Sequence, residues 1–141
     1  MRYWDSSAVI SLIAEQPGSS ALKPLMEADR AMTLWWGTPV EVASGLCRLR
    51  RENAIDEETL ARLLNRAQQM SGEADATGPS EPLREEAIRL IKVHDLRAGD
   101  ALQLAAALAC ADHKPSGMGF VCLDKRLRDA AAKEGFTVLP E

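Results

Sequence analysis

The sequence predicts an α/β layer fold built on a mainly parallel sheet of four to five strands. Three observations predict it. Short runs rich in aromatic or β-branched residues ("RYW", "MTLW", "FVCL" and "FTVL") alternate with stretches of helical periodicity. The first three of these runs lead, within a few residues, into a helix-start signal, the order expected when parallel strands are joined by right-handed helical crossovers. The third observation is size: 141 residues fit a single domain, 1–141, long enough for one substantial hydrophobic core and too short for two.

Each element has a local justification. Asp5 or Ser6 opens a first helix that Pro17 and Gly18 end, and helix propensity continues over residues 20–28. After "MTLW", Gly37 and Pro39 break the extended run; Pro39 suits a first helical turn, and Val42, Leu46 and Leu49 share one face. Asp56 caps an amphipathic helix with Leu60, Leu63, Leu64 and Ala67 on one side. The polar stretch "SGEADATGPSEP" reads as a surface loop. Pro82 begins a helix through Val93, "LRAGDALQLAAAL" carries the most apolar helix, and "HKPSGMG" breaks it. A last helix, stopped by Gly135, separates "FVCL" from "FTVL".

Composition narrows the setting. Three cysteines, Cys47, Cys110 and Cys122, form no CxxC pair and sit in apolar runs, as expected of buried thiols in a reducing, cytoplasmic compartment. The longest wholly apolar stretch, 104–111, is far short of the ~20 residues that cross a bilayer, so no membrane association is expected. The net charge of −4, from 21 acids and 17 bases, lacks the basic excess of most nucleic-acid binders. Divalent cations covering some of the acids would invert that charge locally.

Four acids occupy equivalent places. Asp5 follows the first strand and Asp124 follows "FVCL"; Glu41 and Asp100 lie in the first turns of their helices. Ligands of open α/β sheets bind where strands turn into helices, beyond the carboxyl ends of the strands. One acid at a helix start is explained by the helix dipole, worth ~0.3–1 kcal/mol, and Asp56 has only that role. Four acids converging would repel, by ~3 kcal/mol per pair at ~5 Å and an effective dielectric of 20. Mg²⁺ or Mn²⁺, which favour oxygen ligands, would relieve that repulsion. His94 and His113 lack metal-ligand spacing and read as polar residues near helix ends, and no P-loop, GxSxG or GxGxxG occurs.

The segments "YWDSSAVISLI", "TPVEVASGL", "LRAGDALQLAAAL" and "FVCLDKRLRDAAAKEGFTVL", in this order over nearly the whole chain, resemble the PIN domain, in particular the VapC-type toxin ribonucleases of VapBC toxin–antitoxin pairs. The resemblance implies a three-layer α/β/α fold and a metal-dependent endoribonuclease using Mg²⁺ or Mn²⁺. It implies that Asp5 is the central ligand, that Asp100 and Asp124 complete a metal site, and that Glu41 holds a second ion or orients water. Ser6 matches a small hydroxyl residue of the family and is a candidate contact to metal-bound water or phosphate, with helix capping the alternative. Arg97, Lys125, Arg126 and Arg128 flank the expected pocket and are candidate phosphate contacts. Trp35 and Trp36 offer stacking surface for unpaired bases, although at least one is expected in the core.

The expected partners are RNA, a cognate antitoxin and a second copy of the chain, the last because the helices from Ala21 and Asp56 carry more apolar surface than a thin sheet requires. Three other functions compete. A haloacid-dehalogenase-like phosphatase also places an aspartate after its first strand, but wants a second acid at position 7, which is serine. A receiver-like module needs no Glu41. A PIN fold kept as a catalytically silent interaction module is the third.

Overall fold

The computed structural model describes residues 1–141. Its elements run β1 (Arg2–Trp4), α1 (Ser6–Ala14), α2 (Ser19–Ala28), β2 (Met32–Trp35), α3 (Thr38–Arg51), α4 (Glu57–Glu73), β3 (Asp75–Thr77), α5 (Glu81–Val93), α6 (Ala98–Cys110), β4 (Gly119–Val121), α7 (Lys125–Glu134) and β5 (Thr137–Leu139). The five strands form one sheet in the order β3-β2-β1-β4-β5, every neighbouring pair parallel. All strand C-termini therefore open on one edge. The chain winds outward from β1 in both directions, so the strand order reverses there, where open sheets place their ligands.

Side chains alternate across this sheet and divide the interior into two cores rather than the single one expected. Tyr3, Trp35, Phe120 and Cys122 face α5, α6 and α7, within a cluster of 18 buried residues. Trp4, Met32, Leu34 and Val121 face α1 to α4, within a second cluster of 13. The sheet is buried on both faces, as parallel sheets are, and it separates two helical layers of a three-layer α/β/α fold.

Of the stretch expected to be a surface loop, residues 71–73 end α4 and residues 75–77 form the edge strand β3, which leaves residues 78–80 as the loop before α5. Asp75, Ala76 and Thr77 pair with Thr33, Leu34 and Trp35 of β2. Backbone pairing with an already buried strand sets this conformation, and Asp-Ala-Thr carries little side-chain preference for it. The leucines expected to serve an interface are likewise used inside: Leu22, Leu60 and Leu63 are buried, and Leu25, Leu64, Ala67 and Met70 pack against them. The large apolar side chains left exposed lie elsewhere, on α5 (Ile88, Ile91, Val93), at Val40, at Trp36 and at Met1. Trp35 is buried, whereas Trp36 is 64% exposed. Of the cysteines only Cys122 is fully buried; Cys47 and Cys110 are half-buried, and all three are free thiols. No helix is long and apolar enough to cross a membrane.

Candidate active site

Parallel pairing brings the ends of β2, β1 and β4 side by side, and the residues that follow them carry three acids to one edge. Asp5 is the N-cap of α1, its side chain accepting from the Ser7 amide. Asp124 is the N-cap of α7, accepting from the Leu127 amide at 3.1 Å. Glu41 stands in the first turn of α3, and Asp100 comes from the first turn of α6. All four line one cleft of about 700 Å³, together with Ser6, Ser7, Ser44, Arg48, Arg97 and Arg126; Ile10 and Val40 are its apolar wall.

Asp5 is 3% exposed, and its Oδ2 accepts three bonds: from Ser7 Oγ at 2.5 Å, Ser7 N at 3.1 Å and Cys122 Sγ at 3.4 Å. Ser7 Oγ also accepts from the Leu123 amide at 3.1 Å, tying the start of α1 to the chain leaving β4. Glu41 is held at both oxygens, by Ser6 Oγ at 2.9 Å and by Gln103 Nε2 at 3.1 Å. Burial raises the pKa of Asp5, against the opposing donors from Ser7 and Cys122. Glu41 is raised by burial and then by the negative charges of Asp5 and Asp100. Burial also raises Asp100, with Asp124 and Asp5 adding to it. Glu41 and Asp100 thus sense the charge of neighbouring acids in the cleft.

The donor set consists of carboxylates and hydroxyls, the chemistry that Mg²⁺ and Mn²⁺ select. As the side chains stand, no three of them form a ready-made chelating group.

Seven of the residues singled out in the sequence meet here: Asp5, Ser6, Glu41, Arg97, Asp100, Asp124 and Arg126. Two basic candidates do not. Lys125 is exposed and outside the cleft. Arg128 instead donates to the carbonyls of Cys122 and Pro140, each at 2.7 Å, and fastens the C-terminus to the end of β4. Sequence reasoning missed Ser7, Ser44, Arg48, Cys122 and Gln103. Arg48 was legible as a helical repeat, since Glu41, Ser44 and Arg48 fall three and four residues apart on one face of α3. Gln103 was legible as the one polar residue that follows Asp100, a turn later, in an otherwise apolar helix.

A family profile described as the PIN domain matches residues 2–133. The chain belongs to the PIN domain family. Two curated relatives, Ribonuclease VapC45 and Ribonuclease VapC49, from two strains of Mycobacterium tuberculosis, are each 31% identical to it over 98% of this chain and 94% of theirs. Among solved structures, FitAcB from Neisseria gonorrhoeae superposes with a TM-score of 0.67 at 14% identity, over 99% of this chain and 97% of that one. PAE2754 from Pyrobaculum aerophilum gives 0.67 at 18% identity, over 99% and 90%. A toxin-antitoxin complex from Klebsiella pneumoniae gives 0.65 at 17%, over 89% of each chain. These PIN-fold likenesses agree with the parallel sheet and its two helical layers.

Proposed function

We propose that this PIN domain is the endoribonuclease toxin of a type II toxin–antitoxin pair, and that Asp5, Glu41, Asp100 and Asp124 hold the divalent ions with which it hydrolyses RNA. The observation that carries the reading is the meeting of these four acids in one cleft, in a chain 31% identical to two VapC ribonucleases along almost its whole length. Mg²⁺ or Mn²⁺, when bound, supplies an acidified water and neutralises charge on the phosphoryl oxygens and the leaving 3′ oxygen. The chain's own contribution is positional. Asp5, fixed by Ser7, anchors the site at the middle strand; Asp100 and Asp124 face it, and Glu41, fixed by Ser6 and Gln103, closes the α3 side.

Arg48, Arg97 and Arg126 rim the acids and grip the phosphates on either side of the scissile bond, which lets a chain of net charge −4 hold RNA. Arg48 has no ion-pair or hydrogen-bond partner within the chain, and Arg126 has only a 3.8 Å ion pair with the exposed Asp95. The phosphatase and receiver alternatives are not favoured. At position 7, where the phosphatase needs its second acid, stands a serine that donates to Asp5.

Partnership follows the same reading: a cognate antitoxin, and a homodimer, for which Ile88 and Ile91, one turn apart on α5, present exposed apolar surface. The free thiols and an RNA substrate suit the cytoplasm. The nuclease reading is tested by incubating single-stranded RNA with the purified chain in Mn²⁺, in Mg²⁺ and in EDTA. Cleavage with 5′-phosphate and 3′-hydroxyl ends, present only with metal, supports it; cleavage unaffected by EDTA overturns it. Light scattering and co-expression with a neighbouring small reading frame test the assembly, which a persistent monomer with no stable complex would contradict.

A further inference from the structure

Gln103 is wholly buried in α6, flanked on its own helix by the buried Ala101, Leu104, Ala105 and Ala106. Every hydrogen-bonding group of its amide is matched. The Tyr3 hydroxyl donates to Oε1 at 2.5 Å, and Nε2 donates to Thr38 Oγ1 at 3.0 Å and to Glu41 Oε1 at 3.1 Å. The sense of the amide follows from its partners: turned over, it would set its carbonyl oxygen against the Glu41 carboxylate. A polar residue at such a position costs free energy unless fully bonded. The buried Tyr3 and Thr38 hydroxyls engage two groups of the amide, and the remaining N–H is spent on Glu41 at the cleft. Placement accounts for that third bond, since one helix carries Asp100 into the cleft and, one turn later, the donor to Glu41.

We infer that Gln103 is a positioning residue for Glu41: with its amide locked by Tyr3 and Thr38, it holds the Glu41 carboxylate in the orientation that receives a divalent ion. The inference rests on the proposed reading of Glu41 as an ion ligand. Tyr3, Thr38 and Gln103 touch neither substrate nor ion and act only through Glu41. Groups that orient a ligand in this way typically change metal affinity or activity by about 10–100-fold when removed.

The test compares wild type, Gln103→Met, Glu41→Gln and the double variant, with Tyr3→Phe as a milder perturbation that leaves the amide free to turn over. Mn²⁺ binding to the metal-free proteins is titrated by calorimetry, and kcat and KM are measured on one single-stranded RNA. Gln103→Met should weaken Mn²⁺ binding or lower kcat by about 10-fold or more, with KM for RNA unchanged, and should add nothing in the Glu41→Gln background. Tyr3→Phe should shift both readouts the same way by less, and it decides the question if Gln103→Met does not fold. A folded Gln103→Met protein with wild-type Mn²⁺ affinity and kcat overturns the inference, as does an equal further loss in the Glu41→Gln background. A wild type that neither binds Mn²⁺ nor cleaves RNA would instead remove the functional reading on which the inference stands.

Discussion

Replacing Asp100 by asparagine separates a working carboxylate from a helix-opening one, because the two roles predict opposite signs for stability. In the metal-free protein Asp100 is half-buried and its ionised form is disfavoured by burial, by Asp124 and by Asp5. Two unit charges separated by roughly 5–10 Å repel by roughly 0.4–3 kcal/mol at effective dielectrics between 80 and 20. Half-exposure places each pair toward the lower end, about 1 kcal/mol, so two neighbours cost about 2 kcal/mol. Loss of the dipole interaction at the start of α6 opposes this by ~0.3–1 kcal/mol. Asp100→Asn should therefore stabilise the protein in EDTA by about 1 kcal/mol, roughly 3–5 °C in Tm for a domain of this size. The direction of the pKa shift sets the pH window. Because the folded-state pKa is raised, the penalty is complete above it and absent below the unfolded-state value, so the advantage of asparagine should fade as the pH falls through the folded-state pKa toward the ordinary aspartate value of about 4. Saturating Mn²⁺ at ~100 times its dissociation constant should add ~2.7 kcal/mol to the wild type, and the variant should lose most of that gain. Thermal melts of both proteins with EDTA and with Mn²⁺ are the assay. An asparagine variant that melts lower in EDTA and keeps the full metal response would show that Asp100 is only a helix-opening residue.

Other substitutions probe the surroundings of the acids. Ser7→Ala removes the 2.5 Å donor to Asp5 and strands the Leu123 amide, so chemical denaturation should show a loss of about 1–3 kcal/mol; unchanged stability would deny Ser7 its clamping role. Arg48→Ala should raise KM for RNA, leave kcat alone and reduce the salt dependence of binding by about one unit of slope, whereas equal binding at all salt concentrations would take Arg48 off the substrate path. Arg128→Ala should do the reverse, lowering stability through loss of its bonds to the Cys122 and Pro140 carbonyls without changing the salt slope.

The parallel sheet was legible in the sequence because its central strands and their following helices carry strong local signals: Asp5 and Asp124 as N-caps, Pro39 at a helix start, Gly135 at a helix end. β3 was not legible, because an edge strand of Asp-Ala-Thr takes its conformation from pairing with β2 and not from its own side chains. The two cores were concealed for a related reason, since whether Tyr3 and Trp4 face the same layer depends on the pleat of a strand three residues long. The four acids could be named from their places at strand ends, but the bonds by which neighbouring groups orient two of them could not. The bond from Gln103 to Glu41 spans 62 residues, and the thiol of Cys122 reaches Asp5 across 117. Such contacts exist only once β1, β2 and β4 lie side by side, and the free cation of Arg48 was distinguishable from the tethered one of Arg128 only in three dimensions.

The central claim is that the four acids work as one ion-holding unit that cleaves RNA, and one parallel measurement tests it most directly. Asp5→Asn, Glu41→Gln, Asp100→Asn and Asp124→Asn, each verified as folded, are assayed beside the wild type for single-stranded RNA cleavage in Mn²⁺ and in EDTA. Cleavage by the wild type in Mn²⁺ alone, with activity lost in Asp5→Asn and Asp100→Asn and severely reduced in the other two, is the predicted result. Wild-type cleavage rates in Asp5→Asn and Asp100→Asn, or a wild type that cleaves equally well in EDTA, would contradict the claim.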